Sequence, residues 1–367
     1  MIPNFIKVHS SFKLNGMHYN ASALKVLAST YTKTGKPYES QLGVFLLDWL
    51  DTKDSILVNT SGSTGKPKQI QLQKQAMVNS AIATGTFFYL KPGNRALLCL
   101  PTNYIAGKMM LVRALVLGLE IDFVEPTINP QFNSEIDYDF CVMIPLQLSN
   151  TKERLKTIKK LIVGGASVSN ALKNLVKDLP TRIFETYGMT ETITHIAVKP
   201  INNFIDVTSS LSSRAETRDE RSLFKTLDNV SISQDDRGCL VITAPKLSNE
   251  KIITNDIVRL HSDTEFEWLG RFDIVINSGG LKFFPEQIEA KLQNTISNRF
   301  FITSETDEAL GNKVILLIEG HKFNLSDDSF QFLDKHEIPK QVYFIDSFVE
   351  TTSGKIQRQK TLESLKR

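Results

Sequence analysis

With 367 residues the chain exceeds what one hydrophobic core usually organises, so a large domain plus a smaller one is expected. Its 43 Lys and Arg against 40 Asp and Glu are spread without an aromatic–basic block, which argues against a nucleic-acid partner. The opening MIPNFIKVHSSFKLNG lacks the apolar stretch of a signal peptide, and nowhere do about 18 apolar residues run together, so a cytoplasmic protein without a membrane span is expected.

From about Asp54 to Lys199 short apolar runs alternate with amphipathic stretches. SILVN precedes QKQAMVNSAIATGTFFYL, ALLCLP precedes AGKMMLVRALVLG, EIDFVEP and DYDFCVMIP follow, KKLIVGG precedes SNALKNLVKDL, and TRIFETYG closes the series. Repeated strand-then-helix alternation predicts a parallel sheet with helices on both faces. Cys99, Cys141 and Cys239 lie far apart without metal-ligand spacing and read as core thiols in a reducing compartment. Between about Asn202 and Trp268 the texture shifts to short β-prone pieces, NVSISQ, CLVITAP and FEWLG, interrupted by SSLSSRAETRDERS, which reads as a solvated loop. After GRFDIVINSGG comes a compact βαββα pattern: PEQIEAKLQ as a helix with Pro285 in its first turn, then RFFITSE, KVILLIEG, SFQFLDKH and QVYFID. The fold class expected is therefore α/β. A large N-terminal domain, residues 1–270, carries mixed and parallel sheets flanked by helices plus a β-rich subregion, and a small α+β domain, residues 271–367, follows a hinge.

The stretch NTSGSTGKPK, residues 59–68, is built of small, hydroxyl-bearing and basic residues that suit close wrapping of an oxyanion. A Walker A loop would need GxxxxGK[ST]; only GSTGK is present, and Pro67 stands where the Mg²⁺-binding hydroxyl belongs. The loop instead resembles the phosphate loop of the adenylate-forming superfamily of acyl-CoA synthetases, peptide-synthetase adenylation domains and luciferases. Five further stretches agree in order: VGGAS (163–167), ETYGMTET (185–192), TNDIV (254–258), LGRFDIVINSGGLKFFPEQIE (269–289) and TTSGKIQRQK (351–360). Within that superfamily YGMTETITHIA, INSGGLKFFPEQIE and the short length look most like the o-succinylbenzoate-CoA ligases of menaquinone biosynthesis. Only 58 residues precede Asn59, whereas most relatives carry a longer N-terminal subdomain, a departure that bears on the acid pocket and on oligomer contacts.

The resemblance implies ATP, Mg²⁺ and CoA as co-substrates and cofactor, with a small carboxylic acid activated as an acyl adenylate and then passed to the thiol. It assigns Thr60, Ser61, Gly62, Ser63, Thr64, Gly65, Lys66 and Lys68 to the ATP phosphates. Thr190 is implied to meet the α-phosphate and Glu191 to hold the metal; Gly164, Gly165, Ala166, Tyr187 and Gly188 are implied to frame the adenine. Asp256 is implied to grip the ribose hydroxyls, with Arg271 fifteen residues on, and Lys355 to bridge the substrate carboxylate and the α-phosphate during adenylation. Rotation of the small domain about Asp273 is implied to withdraw Lys355 and bring Ser278, Gly279, Gly280, Leu281 and Lys282 to the thiol path.

The acid is expected against PTNYIAGKMM, the GGAS turn and the residues after YGMTE, which makes Tyr104, Lys108, Thr192 and His195 the pocket candidates. The second carboxylate of o-succinylbenzoate demands a cation or several donors. Lys108, Arg113, His195 and Lys282 are candidates, with Thr192 and Thr194 as hydroxyl donors, and His195 and Lys108 rank first. Transfer to a separate carrier protein and a non-catalytic nucleotide-binding regulator are the alternatives; the presence of Lys355, Glu191 and Asp256 speaks against the regulator.

Overall fold

The computed structural model describes residues 4–5, 7–59, 69–202, 223–293, 295–350 and 356–365. The chain opens with β1 (Lys13–Leu14), β2 (Met17–His18) and the helices α1 (Ala21–Thr34) and α2 (Pro37–Trp49). The Asn20 side chain caps α1 by accepting from Ala23 N, and proline at the first position starts α2. Then come β3 (Ser55–Asn59), β4 (Gln69–Gln73), α3 (Lys74–Phe87), β5 (Arg95–Leu98), α4 (Ile105–Leu117) and β6 (Glu120–Phe123). β7 (Phe140–Met143), α5 (Pro145–Asn150), β8 (Lys160–Val163), α6 (Asn170–Val176) and β9 (Arg182–Gly188) complete the strand–helix series. The antiparallel part holds β10 (His195–Pro200), β11 (Phe224–Thr226), β12 (Ser231–Gln234), β13 (Cys239–Thr243), β14 (Ile252–Leu260) and β15 (Glu265–Arg271).

Among the described residues one sheet of thirteen strands runs β12-β13-β14-β15-β11-β10-β9-β8-β7-β5-β6-β1-β2. Strands β6, β5, β7, β8 and β9 are mutually parallel, as the strand–helix alternation predicts. Both faces are covered, and alternate residues enter different cores. Ala96, Leu98, Phe140, Val142 and Ile162 join the cluster under α1–α4 around Leu24, Phe45 and Trp49. Leu97, Cys99, Cys141, Met143, Leu161 and Val163 face the opposite cluster with Tyr138 and Leu172. The three cysteines are buried free thiols. SILVN departs from expectation: β3 pairs antiparallel with β4 in a hairpin outside the main sheet. Leu57 is 64% exposed between buried Ile56 and Val58, the alternation of a strand with one wet face.

Beyond Arg271 the chain continues as β16 (Ile276–Ser278), β17 (Leu281–Phe283), α7 (Pro285–Leu292), β18 (Phe300–Asp307), β19 (Gly311–Glu319), β20 (Gln341–Ile345) and α8 (Arg358–Ser364). These residues build their own clusters on the two faces of β18-β19-β20, with Ile302, Val314 and Leu316 on one face and Phe301, Ile315 and Leu317 on the other. Arg358 binds Glu289 through both guanidinium ends, at 2.6 and 2.8 Å, and donates to Ile302 O, tying α8 to α7 and β18. Where SFQFLDKH suggests a second helix, only a 3₁₀ turn forms over Asp327–Phe330. Phe330 and Leu333 pack inward while Phe332 is 54% exposed, so the segment has no apolar stripe wide enough to hold a longer helix down.

Candidate active site

β14 and β15 form a hairpin whose register places Asp256 opposite Arg271. Asp256 is buried, and its Oδ2 accepts a 2.6 Å hydrogen bond from Tyr187 Oη. Arg271 Nε lies 3.9 Å from Asp256 Oδ1 and donates at 3.0 Å to Asp273 Oδ1, with Nη2 reaching Asp273 Oδ2 at 3.2 Å. Burial, then the Asp256 carboxylate, push the Tyr187 hydroxyl far above its ordinary value, and the Asp273 bond raises Arg271. Tyr187, at the end of β9, is held edge-on to Phe266 with ring centroids 5.2 Å apart. Its hydroxyl is thus committed to the expected ribose carboxylate.

The GGA turn follows β8, with Gly165 and Ala166 exposed and Gly164 pressed against Thr186, the residue before Tyr187. Glu185 at the base of this strand is buried; Oε1 accepts from Val168 N at 3.0 Å, and Oε2 lies 3.1 Å from Lys199 Nζ and 3.7 Å from Lys173 Nζ. Gly188 is required by space, since a Cβ there would stand 2.3 Å from Thr194 O.

Thr190–Thr192 form a 3₁₀ turn that carries the exposed Glu191. Thr192 is fully buried, and its hydroxyl is engaged with Met189 N and O and with Thr194 O, so it staples the turn rather than offering a pocket donor. Ile193 adopts φ 67°, ψ −56°, and Thr194 N bonds Thr192 O at 2.8 Å, a strained γ-turn. It delivers His195 into the start of β10.

The pocket candidates separate. Tyr104 precedes α4 and is 49% exposed. Lys108 is buried against Phe45, its Nζ 4.7 Å from the ring, and lines a cavity with Asp48, Asn103 and Val58. It is neither a solvated helix lysine nor a neighbour of His195. His195 lies beside Arg113 instead, with Nδ1 3.5 Å from Nη2. Burial first and Arg113 second hold the imidazole well below its usual range, so it is neutral and cannot serve as the cation ranked first from sequence. Arg113, given lower rank from sequence, is the cation beside His195; α4 is apolar nearly all round, so only helical spacing could have placed Ala106, Met110 and Arg113 on one face.

Gly279 and Gly280 are exposed and form the two-residue turn joining β16 to β17, with φ of 55° and 80° as such hairpins demand. Ser278 is buried, Leu281 and Lys282 exposed. Asp273 is exposed in the 3₁₀ turn Phe272–Ile274 between the hairpin β14–β15 and β16. α6 meets α7 through Asn170, whose Nδ2 donates to Ala290 O at 3.0 Å and whose N donates to Gln293 Oε1 at 3.3 Å. The loop Thr60–Lys68 and Lys355 lie outside the described residues. Their flanks are pinned: β3 pairs with β4 across the first, and Glu350 bridges Ile356 across the second.

A profile of AMP-binding enzymes matches residues 50–217. An acyl-CoA synthetase (AMP-forming)/AMP-acid ligase II-like protein from Dyadobacter fermentans is 35% identical, with a TM-score of 0.59 covering 93% of this chain and 98% of that one. The o-succinylbenzoate coenzyme A synthetase of Bacillus subtilis, solved with ATP and magnesium ion, shares the fold at a TM-score of 0.67 and 19% identity, over 83% of this chain and 69% of that one. The 2-succinylbenzoate–CoA ligase of Listeria monocytogenes is 23% identical over 342 residues, 86% of this chain and 71% of its own. The ordered motifs, the two-part fold and these likenesses agree: the chain belongs to the AMP-binding, adenylate-forming acyl-CoA synthetase family.

Proposed function

We propose that the protein joins o-succinylbenzoate to CoA with conversion of ATP to AMP and pyrophosphate, through an acyl adenylate. The observation that carries the adenylating half is the cluster of Tyr187, Asp256 and Arg271 beside the exposed GGA turn. It combines a flat open surface with a buried carboxylate able to accept from hydroxyls. The substrate reading is supported by the curated relatives, several of which are named 2-succinylbenzoate–CoA ligase. Glu191 and Thr190 fit a magnesium–phosphate group, since Mg²⁺ takes one or two carboxylates plus phosphate oxygens and keeps several waters. Bound there, the ion neutralises charge on phosphate.

A carboxylate oxygen is a poor leaving group, so the acid attacks the α-phosphorus, pyrophosphate departs, and the thiolate then displaces AMP. Both steps crowd negative charge, which positioned cations and N–H donors stabilise. In this reading Thr60–Lys68 hold the departing phosphates and Lys355 bridges the reacting anions. Arg358, fixed to Glu289, anchors the chain three residues beyond that lysine. The segment 271–367 then turns about Asp273 and presents Ser278–Lys282 to the thiol; the contact through Asn170 is slight enough to exchange.

Pyrophosphate release with ATP, Mg²⁺ and CoA across o-succinylbenzoate, benzoate, 4-coumarate, acetate and a medium-chain fatty acid tests the proposal, with mass spectrometry of the thioester. Selective conversion of o-succinylbenzoate is the expected result. Turnover of another acid alone refutes the substrate, and adenylation without transfer to free CoA favours a carrier-protein acceptor.

A further inference from the structure

Arg237 stands in the turn between β12 and β13, with its guanidinium fixed along its edge. Nε and Nη2 donate to Asp235 Oδ2 at 2.9 and 2.7 Å, Nη1 donates to Asn255 Oδ1 at 2.9 Å, and Nη2 also donates to Thr254 O at 3.0 Å. Asp235 is held in its turn by Arg237 N and Cys239 N, both donating at 2.9 Å. A planar fork bound in this way is rigid and keeps its faces free. One face lies over the ring of Phe272, with the guanidinium carbon 5.2 Å from the centroid. Phe272 is 40% exposed and joins no core cluster among the described residues, so the stack on Arg237 is what holds this large apolar side chain in place.

The stack sits where the chain leaves β15. Phe272 opens the 3₁₀ turn Phe272–Ile274, which Val275 N closes by donating to Phe272 O at 3.4 Å. Ile276 is already buried in the cluster around Ile302 and Leu316, so only residues 273–275 lie between the stacked ring and that core. In this arrangement the Gly279–Gly280 turn is exposed and Leu281 is 47% exposed, so the hairpin is not seated against a partner surface among the described residues. Resting on the ligase reading above, we propose that Arg237 is a positioning residue for the hinge: stacked on Phe272, it holds the turn Phe272–Ile274 in the arrangement that keeps the Ser278–Lys282 hairpin out of the thiol path. Turning about Asp273 breaks that 3₁₀ turn and frees the ring. A guanidinium over an exposed ring biases such an equilibrium roughly 2- to 5-fold, which tunes the balance of two arrangements without locking either.

Two readouts on the full chain test it. Hydrogen exchange followed on peptides spanning residues 272–276 reads the turn that Val275 N closes. Exchange there is expected to quicken roughly 2- to 5-fold in Arg237→Ala, and equally in Phe272→Leu, which leaves the bonds of Arg237 to Asp235, Asn255 and Thr254 intact. The double variant should gain nothing further, because either change alone removes the stack. Arg237→Lys keeps the charge without the fork and is expected to fall between wild type and Arg237→Ala. The second readout is the rate of thioester formation from supplied acyl adenylate divided by the rate of pyrophosphate exchange. That ratio is expected to rise by the same roughly 2- to 5-fold in both single variants. Unchanged hydrogen exchange, additive effects in the double variant, or loss of both half-reactions at an unchanged ratio overturns the positioning role while leaving the ligase reading intact. A wild-type protein that exchanges pyrophosphate with no acid of the panel and forms no thioester overturns the ligase reading, and the positioning role falls with it whatever the hydrogen exchange shows.

Discussion

Glu286, in the first turn of α7, is raised to about 7 from an ordinary 4.5, chiefly by burial. Its Oε2 is buried without a hydrogen-bond partner among the described residues and sits against β15, where a Cβ on Gly270 would lie 2.7 Å away. Arg358 pulls in the opposite direction and does not overcome the desolvation. The folded state therefore holds this proton more tightly than the unfolded chain. Stability from Glu286 is fully present below about 4.5 and is lost as pH rises through about 7. The difference between the two values corresponds to about 3 kcal/mol at pH 8 and less than about 1 kcal/mol at pH 5. Glu286→Gln, neutral at every pH, should recover about that much at pH 8 and little at pH 5. Urea unfolding of wild type and variant at both pH values, compared on the same transition, reads the difference. An equal shift at both, or a variant less stable at pH 8, refutes the argument that a desolvated carboxyl lies under β15.

Tyr187→Phe removes a short bond to a buried carboxylate and should lower stability by about 2 kcal/mol, read as the urea midpoint; no change would mean that Asp256 is satisfied by other partners. Lys355→Ala should abolish pyrophosphate exchange yet retain thioester formation from supplied acyl adenylate, and equal loss of both would remove that lysine from its proposed half-reaction. Gly280→Val places a β-branched residue at φ 80°, where a Cβ meets no neighbour among the described residues, so backbone strain rather than a clash distorts the turn. Thioester formation should fall while pyrophosphate exchange persists, and an unaffected transfer rate would take the hairpin out of the thiol path.

The parallel sheet is legible because its strands are buried on both faces and read as continuous apolar runs bounded by turns; Ala96, Leu97 and Leu98 are all fully buried. SILVN looks the same in composition, but exposure of Leu57 is a tertiary fact that no apolar count carries. The separation of Asp256 and Arg271 by fifteen residues reflects a hairpin whose register puts them side by side, so spacing and geometry agree. Which cation of α4 faces His195 is less legible. Lys108 and Arg113 sit five residues apart on a helix buried nearly all round, so they project about 140° apart. Sequence provides no reason to prefer one face; packing decides it, sending Lys108 toward Phe45 and Arg113 toward Thr84 and His195.

The γ-turn at Ile193 holds an exposed residue and a buried one at the two ends of one short segment. A β-branched residue at positive φ costs on the order of 1–3 kcal/mol and persists only where surroundings over-determine it. Here they do. The Ile193 side chain is 2% exposed in the main core, which offsets the strain by about 2 kcal/mol. Thr192 locks the preceding turn through Met189 and Thr194, and Gly188 admits the returning strand at a distance no side chain would tolerate. Glu191 is thereby left facing solvent while His195, four residues later, is buried beside Arg113. A relaxed extended segment would carry these residues in steady progression along one edge. The strained turn instead divides a solvent-facing end that carries Glu191 from a dry end that holds His195 beside Arg113.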